Sequence, residues 1–196
     1  MPRTVYFITH PNVQISAEVP VARWPLSERG RERMKAGLRQ PWVPTITSIY
    51  CSTEQKAIDG ATILGDHLGL VPTLDARLGE NDRTATGYLP VQEFEATADL
   101  FFARPRISIR GWERAVDAQA RIVAAARDLI AAEKSPGSIV ILAHGAVGAL
   151  LRCHLAGSPI SRQWDQPANG GGNYFAFPLS GPPSAPHPAW HPIDGE

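Results

Sequence analysis

Short runs of hydrophobic residues recur along the chain and predict the strands of a sheet. The runs at 4–9 and 138–143 are rich in β-branched, aliphatic or aromatic residues without polar alternation, which is typical of strands buried on both faces. Weaker runs lie at 45–51, 71–74 and 173–177. The first run ends before His10-Pro11, because proline has no N–H to donate to a neighbouring strand.

Apolar residues at spacings of three and four occupy the segments between these runs. They predict helices over 27–38, 52–68, 91–103, 111–133 and 146–155. Ser27 is an expected N-cap, Ser52 with Gln55 fits a capping box, and Gly69 is expected to end the second helix. Because strands alternate with helices, the sequence predicts an α/β fold, a three-layer αβα sandwich with a mainly parallel central sheet.

The length of 196 residues predicts a single domain over 1–196. Residues 80–110 form a long insertion between a strand and the longest helix, and we expect them to act as a cap over a site. Residues 178–196 hold six prolines and are expected to form a proline-rich tail.

Polar residues follow three of the predicted strands, where ligands of parallel sheets bind. His10 follows the first strand, Ser52 follows the second, and His144-Gly145 follows the strand at 138–143. Helices begin after Ser52 and His144, so backbone N–H groups and the positive ends of two helix dipoles are expected at this edge. Lys56 adds a positive charge, so phosphate is the expected ligand.

Five short motifs resemble those of the histidine phosphatase superfamily, whose fold is phosphoglycerate mutase-like. The Arg-His-Gly of that family is matched by Thr9-His10-Pro11, and its Leu-Thr/Ser-x-x-Gly helix start by residues 26–30. Its Ser-Ser-Pro-x-x-Arg-Ala helix start is matched by residues 51–57, with Lys56 in place of arginine. Leu-x-Glu is matched at 78–80 and Ser-His-Gly at 143–145, and the resemblance extends over about residues 4–156.

The resemblance implies a phosphatase or phosphomutase that acts on a small phosphorylated metabolite without a metal or other cofactor. It implies that His10 attacks phosphorus and becomes a phosphohistidine, and that Glu80 protonates the leaving oxygen. Asp82 stays open as a second candidate for the acid. The resemblance gives His144 the role of stabilising the phosphoryl group. Phosphate contacts are expected from Thr9, Ser52, Lys56 and Gly145.

Three positions depart from the family pattern and leave a second hypothesis open. Thr9 and Lys56 stand where the family has arginines, and Pro11 stands where it has glycine. A guanidinium holds phosphate through two parallel hydrogen bonds, whereas an ammonium acts as a point charge. Arg83, in the expected cap, is a candidate for the missing guanidinium. The alternative is a catalytically degenerate member that binds phosphate without turnover.

A third hypothesis is a mononuclear metal enzyme in which His10, His144 and Glu80 form a two-histidine, one-carboxylate set. A serine α/β-hydrolase is disfavoured, because Gly-x-Ser-x-Gly does not occur in the sequence. The identity of the substrate, and the choice between phosphatase and mutase, stay open at this point.

Charge and cysteine content narrow the expected partners. Lys plus Arg and Asp plus Glu number 19 each, and this zero net charge argues against nucleic acid or an anionic membrane surface as a partner. The start of the sequence has no signal-peptide pattern, and Cys51 and Cys153 form no disulfide framework, so we expect a cytoplasmic protein. The expected partner is a small phosphorylated substrate or inorganic phosphate, and a homodimer stays open.

Overall fold

A six-stranded mixed sheet lies at the centre of the computed structural model, which describes residues 3–179 and 189–195. The strands are β1 (Thr4–Thr9), β2 (Ile46–Cys51), β3 (Thr73–Leu74), β4 (Ser138–Ala143), β5 (Asn173–Pro178) and β6 (His191–Pro192). Their order is β3-β2-β4-β1-β5-β6. The first four strands are parallel and the last two antiparallel, which confirms the mainly parallel sheet.

Within the described ranges, five α-helices connect or follow the strands. They are α1 (Glu28–Gly37), α2 (Gln55–Leu68), α3 (Val91–Ala103), α4 (Ala115–Ala132) and α5 (Gly145–Leu155). All five predicted helices are present. The longest begins four residues later than predicted, after the loop that contains Gly111 with its left-handed φ of 82°.

Alternate residues of the central strands face opposite helical layers. Val5, Phe7, Ile139 and Ile141 pack in one core cluster with residues of α4 and α5. Ile8, Val140 and Leu142 pack in a second cluster with residues of α1 and α2. Every residue of β4 is buried, which explains its unbroken hydrophobic run. The three-layer αβα sandwich is therefore confirmed.

Helix ends agree with the sequence pattern at two positions and differ at a third. The hydroxyl of Ser27 accepts a hydrogen bond from the Gly30 amide at 3.2 Å, and Gly69, with φ of 69°, ends α2. The predicted capping box at Ser52 is wrong, because α2 begins at Gln55 with Glu54 as its N-cap. Two residues, Thr53 and Glu54, lie between Ser52 and the first residue of α2, so the Ser52 hydroxyl does not cap the helix.

The segment 80–110 packs beside α5 through a third core cluster that includes Phe101, Phe102 and Trp112 with Ala149 and Leu150. Its role as a cap stays a prediction. Of the expected proline-rich tail, residues 180–188 and 196 lie outside the described residues. Within the described ranges, no helix is long and apolar enough to cross a membrane.

Candidate active site

The carboxyl ends of three adjacent parallel strands bring the predicted site residues together. The His10 amide donates to the Ala143 carbonyl at 3.1 Å, and the Ser52 amide donates to the Leu142 carbonyl at 3.1 Å. These bonds extend the sheet pairing one residue past β1 and β2. The rings of His10 and His144 consequently lie 5.2 Å apart between centroids, at 67° to each other.

One ring nitrogen of His10 is hydrogen-bonded to the backbone of the next residue. Nδ1 lies 2.9 Å from the carbonyl oxygen of Pro11. A carbonyl only accepts hydrogen bonds, so Nδ1 carries the proton and Nε2 carries the lone pair in the neutral ring. Burial and the nearby charge of Lys56 lower the pKa of His10 to about 4. The ring is therefore neutral near pH 7, and its Nε2 has no hydrogen-bond partner among the residues that the structure describes.

His144 is fully buried at the N-terminus of α5. Its Nε2 lies 2.8 Å from the Ser52 hydroxyl and 3.4 Å from Oε1 of Glu54. Its Nδ1 is buried without a hydrogen-bond partner among the described residues. Burial holds the pKa of His144 well below its ordinary value, although the charge of Glu54 opposes this effect.

Glu54 is a site residue that sequence reasoning missed. Its Oε1 accepts a hydrogen bond from the Glu80 amide at 2.9 Å, and its Oε2 pairs with the Lys56 ammonium at 2.5 Å. Burial opposes ionisation of Glu54, but its interactions with His144 and with the Lys56 ammonium prevail and lower its pKa to about 2. The signal in the sequence was a carboxylate two residues before a lysine at a helix start.

Lys56 is held inside the protein, with 2% of its surface exposed. Its ammonium donates to the Val21 carbonyl at 2.8 Å and pairs with Glu54. Its positive charge is thus compensated before any ligand arrives. The expected contact between Lys56 and phosphate stays a prediction, with a competing carboxylate beside it.

Thr9 is buried, and its side chain bonds within the protein. Its hydroxyl donates to Oε1 of Gln166 at 2.6 Å and accepts a hydrogen bond from the Asn173 amide at 3.0 Å. The hydroxyl therefore links β1 to β5 and to the loop before it. The contact of Thr9 with phosphate also stays a prediction.

Glu80 caps the start of α5. Its two carboxylate oxygens accept hydrogen bonds from the amides of Ala146 at 3.2 Å and Val147 at 3.1 Å. Burial raises the pKa of Glu80, while the charge of Arg83 opposes the rise. Asp82 differs, because hydrogen bonds from the amide and hydroxyl of Thr84 lower its pKa. This difference favours Glu80 over Asp82 as a proton donor.

Two cavities adjoin this cluster. One of about 490 Å³ is lined by His10, Glu80 and Gly145, and the second of about 590 Å³ is lined by Glu54 and Asp82. Glu80, Asn81 and Arg83 line both. A side chain at Gly145 would clash with Gln166, since a Cβ there would lie 2.5 Å from its Nε2.

Arg83 and Asn81 bring unused hydrogen-bond donors to the cavities. The Arg83 guanidinium lies 5.0 Å from the centre of the Phe94 ring and has no hydrogen-bond or ion-pair partner within the described residues. Asn81 is 3% exposed, and its Nδ2 has no partner in the described part of the chain. Sequence reasoning identified Arg83 as a candidate and missed Asn81.

The described residues contain no group of three or more His, Cys, Asp or Glu side chains arranged to hold a metal ion. The proposed set of His10, His144 and Glu80 therefore finds no geometric support. Instead, Nε2 of His144 faces Ser52 and Glu54, and Nδ1 of His10 faces Pro11.

Comparison with solved structures identifies the fold. A mycobacterial glucosyl-3-phosphoglycerate phosphatase is 25% identical, with a TM-score of 0.74 and coverage of 96% of each chain. A protein described as mycobacterial hydrolase 2 is 23% identical, with a TM-score of 0.72 over 96% of this chain and 88% of that one. Bacillus stearothermophilus YhfR is 21% identical, with a TM-score of 0.73 over 96% and 94%.

A comparison with curated proteins finds no match. The glucosyl-3-phosphoglycerate phosphatase has also been solved with inorganic phosphate and with vanadate. The family model of the histidine phosphatase superfamily (branch 1) matches residues 5–173, which is most of the chain. Together with the phosphatase among the solved structures, this match supports a phosphatase or mutase-like enzyme. The chain belongs to the histidine phosphatase superfamily.

Proposed function

We propose that this protein is a metal-independent phosphatase that hydrolyses a small phosphorylated metabolite through a phosphohistidine on His10. One observation carries the proposal: the hydrogen bond between Nδ1 of His10 and the Pro11 carbonyl, which leaves the Nε2 lone pair available beside a cavity. A neutral imidazole with its proton held on the far nitrogen is a competent nucleophile.

In the first step, a bond forms between Nε2 of His10 and phosphorus while the ester P–O bond breaks. The leaving oxygen takes the proton of Glu80, whose raised pKa favours the protonated carboxyl needed at this stage. In the second step, Glu80 removes a proton from water as the water oxygen attacks phosphorus. The P–N bond then breaks, and inorganic phosphate and neutral His10 are restored.

The negative charge on the transferred phosphoryl group must be stabilised by hydrogen-bond donors, and this site supplies a set that differs from the family pattern. Arg83 is the proposed guanidinium, since its charge has no ion-pair partner in the described part of the chain and it lines the same cavity as His10. Asn81 and Gly145 are proposed to add neutral donors, and His144 to face the phosphoryl group through Nδ1. The expected phosphate contact of Ser52 stays a prediction, because its hydroxyl lies at Nε2 of His144. Direct phosphate contacts from Thr9 and Lys56 stay predictions, and both side chains already have partners within the protein.

The proposed substrate is a phosphate monoester, and inorganic phosphate is the proposed product. The complexes of the similar mycobacterial phosphatase with phosphate and vanadate support a phosphate site in this fold. A mutase shares the first step and differs in the second, where a substrate hydroxyl takes the place of water.

Trapping the intermediate tests the proposal. Wild-type protein, His10→Ala and the control His67→Ala, an exposed histidine on α2, are screened against a panel of phosphate monoesters. The proposal expects turnover and an acid-labile, base-stable phosphohistidine in the wild type and in His67→Ala, and neither in His10→Ala. Turnover that survives in His10→Ala would overturn it.

A second candidate function is phosphate binding without turnover. The ion pair between Lys56 and Glu54 favours it, because it removes a positive charge that a phosphate site would otherwise use. The same screen separates the two candidates. Phosphate binding in the wild type, with no turnover on any monoester of the panel, would favour the degenerate member.

A further inference from the structure

His144 has one nitrogen whose hydrogen-bonding capacity is unused. The residue is fully buried, and Nδ1 has no partner among the described residues. A buried polar atom without a partner is costly, and His10, the neighbour of this ring, lines a cavity, so the unpartnered nitrogen points to a ligand atom that completes it. The ring lies 5.2 Å from that of His10, so an oxygen of a phosphoryl group on His10 is the natural partner.

The other nitrogen of His144 faces a carboxylate. Glu54 places Oε1 3.4 Å from Nε2, while the Ser52 hydroxyl lies 2.8 Å from the same nitrogen and accepts from the Glu54 amide at 3.2 Å. The carboxylate and the hydroxyl therefore lie together on the side of the ring away from the unpartnered Nδ1. A carboxylate in this place stabilises an imidazolium, in which both ring nitrogens donate.

We propose that Glu54 is a positioning residue that allows His144 to take up a proton when a phosphate dianion binds. The proton comes from solvent, Nδ1–H then donates to the anion, and Nε2–H faces Glu54 and Ser52. The inference rests on the proposed phosphate site, and it adds a carboxylate that strengthens the binding of phosphate there. It assigns to Glu54 a role beyond neutralising Lys56.

The charges around His144 explain why protonation needs the ligand. Glu54 favours the imidazolium, whereas burial, His10, Lys56 and Arg83 oppose it, so the ring is neutral in the unliganded protein. A phosphate dianion within hydrogen-bond reach of Nδ1 adds negative charge on the second side of the ring. An opposite charge within about 4–6 Å favours the charged form of a titratable group, so the bound dianion raises the pKa of His144.

Glu54 is held rigidly enough for this task. Its Oε1 also accepts the Glu80 amide at 2.9 Å, and Oε2 is occupied by Lys56. The carboxylate therefore connects the start of α2, the loop that carries Glu80, and His144. Glutamine keeps this shape and one acceptor oxygen but loses the negative charge, which makes Glu54→Gln a suitable probe.

The test measures the protonation state of His144 in the phosphate complex. Wild-type protein with ¹⁵N-labelled histidine is titrated with inorganic phosphate, and the ring-nitrogen shifts show whether both nitrogens carry protons. Proton uptake is measured in parallel by calorimetry in buffers of different ionisation enthalpy. We expect an imidazolium and net proton uptake in the wild type, and a neutral His144 with phosphate affinity about 10–100-fold lower in Glu54→Gln.

Two further variants keep the test decisive. Glu93→Gln removes an exposed carboxylate that pairs with Arg110 and should behave as the wild type. Glu54→Gln/Lys56→Met removes the charges of both partners, so no unpaired lysine is left that could cause misfolding. This double variant should still lack the imidazolium. Recovery of the imidazolium in this double variant would limit Glu54 to neutralising Lys56 and overturn the inference.

The remaining outcomes distinguish this inference from the proposed function. Phosphate binding by the wild type with neutral His144, or with an imidazolium that persists in Glu54→Gln, overturns the inference and leaves the phosphate site intact. Absence of phosphate binding by the wild type overturns the phosphate site and the inference together.

Discussion

The hydroxyl of Thr9 donates a 2.6 Å hydrogen bond to the side-chain oxygen of Gln166, a residue 157 positions away in the chain. Thr9 stands where the family pattern has arginine, directly before the proposed nucleophile. Its hydroxyl anchors the loop that carries Gln166, which lines the cavity beside Gly145. Thr9 thus has a structural role as the partner of Gln166, and the positive charge that it lacks is available from Arg83 in the segment 80–110.

Removal of the Thr9 hydroxyl should lower stability. In Thr9→Val the buried Asn173 amide loses its hydrogen-bond acceptor, and the half-buried Gln166 loses a donor, so the unfolding free energy should fall by about 1–3 kcal/mol. Urea denaturation measures the change. Thr73→Val, at an exposed position of β3, is the matched control and should change stability by less than about 0.5 kcal/mol.

Arg83 should carry phosphate recognition. Arg83→Met keeps much of the apolar stem over Phe94 but removes the charge, and kcat/KM for phosphate monoesters should fall by about 10²–10³. Steady-state kinetics measure the loss. Arg106→Met, at an exposed position after α3, should retain wild-type kcat/KM, and an equal loss in both variants would contradict a specific role for Arg83.

Glu80 should matter most for substrates with poor leaving groups. Glu80→Gln cannot donate a proton to the departing oxygen, so turnover of alkyl phosphates should fall by about 10²–10⁴. An activated aryl phosphate needs less protonation and should be affected less. Asp82→Asn is the control for the neighbouring carboxylate, and a larger loss in that variant than in Glu80→Gln would reassign the acid.

The buried pair of Glu54 and Lys56 should be more sensitive to the loss of one partner than of both. Lys56→Met leaves a largely buried carboxylate without its ammonium and should lower the unfolding free energy by up to about 3–5 kcal/mol. The double variant Glu54→Gln/Lys56→Met should be much closer to wild type. Denaturant titrations of the two variants at one pH provide the comparison.

Protonation of His10 should make stability fall in mild acid. Its pKa is about 4 in the folded protein, below the ordinary value of 6.5, so only the unfolded chain binds this proton between those values. Stability present above pH 6.5 is lost as pH falls toward about 4, by roughly 3 kcal/mol from this group. His10→Gln should flatten the pH dependence of unfolding, while the part due to His144 remains.

Much of the fold follows from local sequence pattern. Unbroken hydrophobic runs predicted the buried strands β1 and β4, and spacings of three and four predicted all five helices. The positions of His10 and His144 directly after adjacent parallel strands were sufficient to bring the two rings together. The strands and helices depend on residues close together in sequence, which is why the sequence by itself determined them, whereas the side-by-side pairing of β1 with β4 is a contact between distant segments.

The partners of the site side chains depended on contacts between distant segments. Only the tertiary structure placed Ser52 against His144, rather than at the cap of α2, and Glu54 against the Glu80 amide. The turn after β2 sets the directions of the Ser52 and Glu54 side chains, and the packing of the segment after β3 sets the position of Glu80. The sequence therefore determined which edge of the sheet carries the chemistry, and the folded chain decided which charges there are compensated and which remain available.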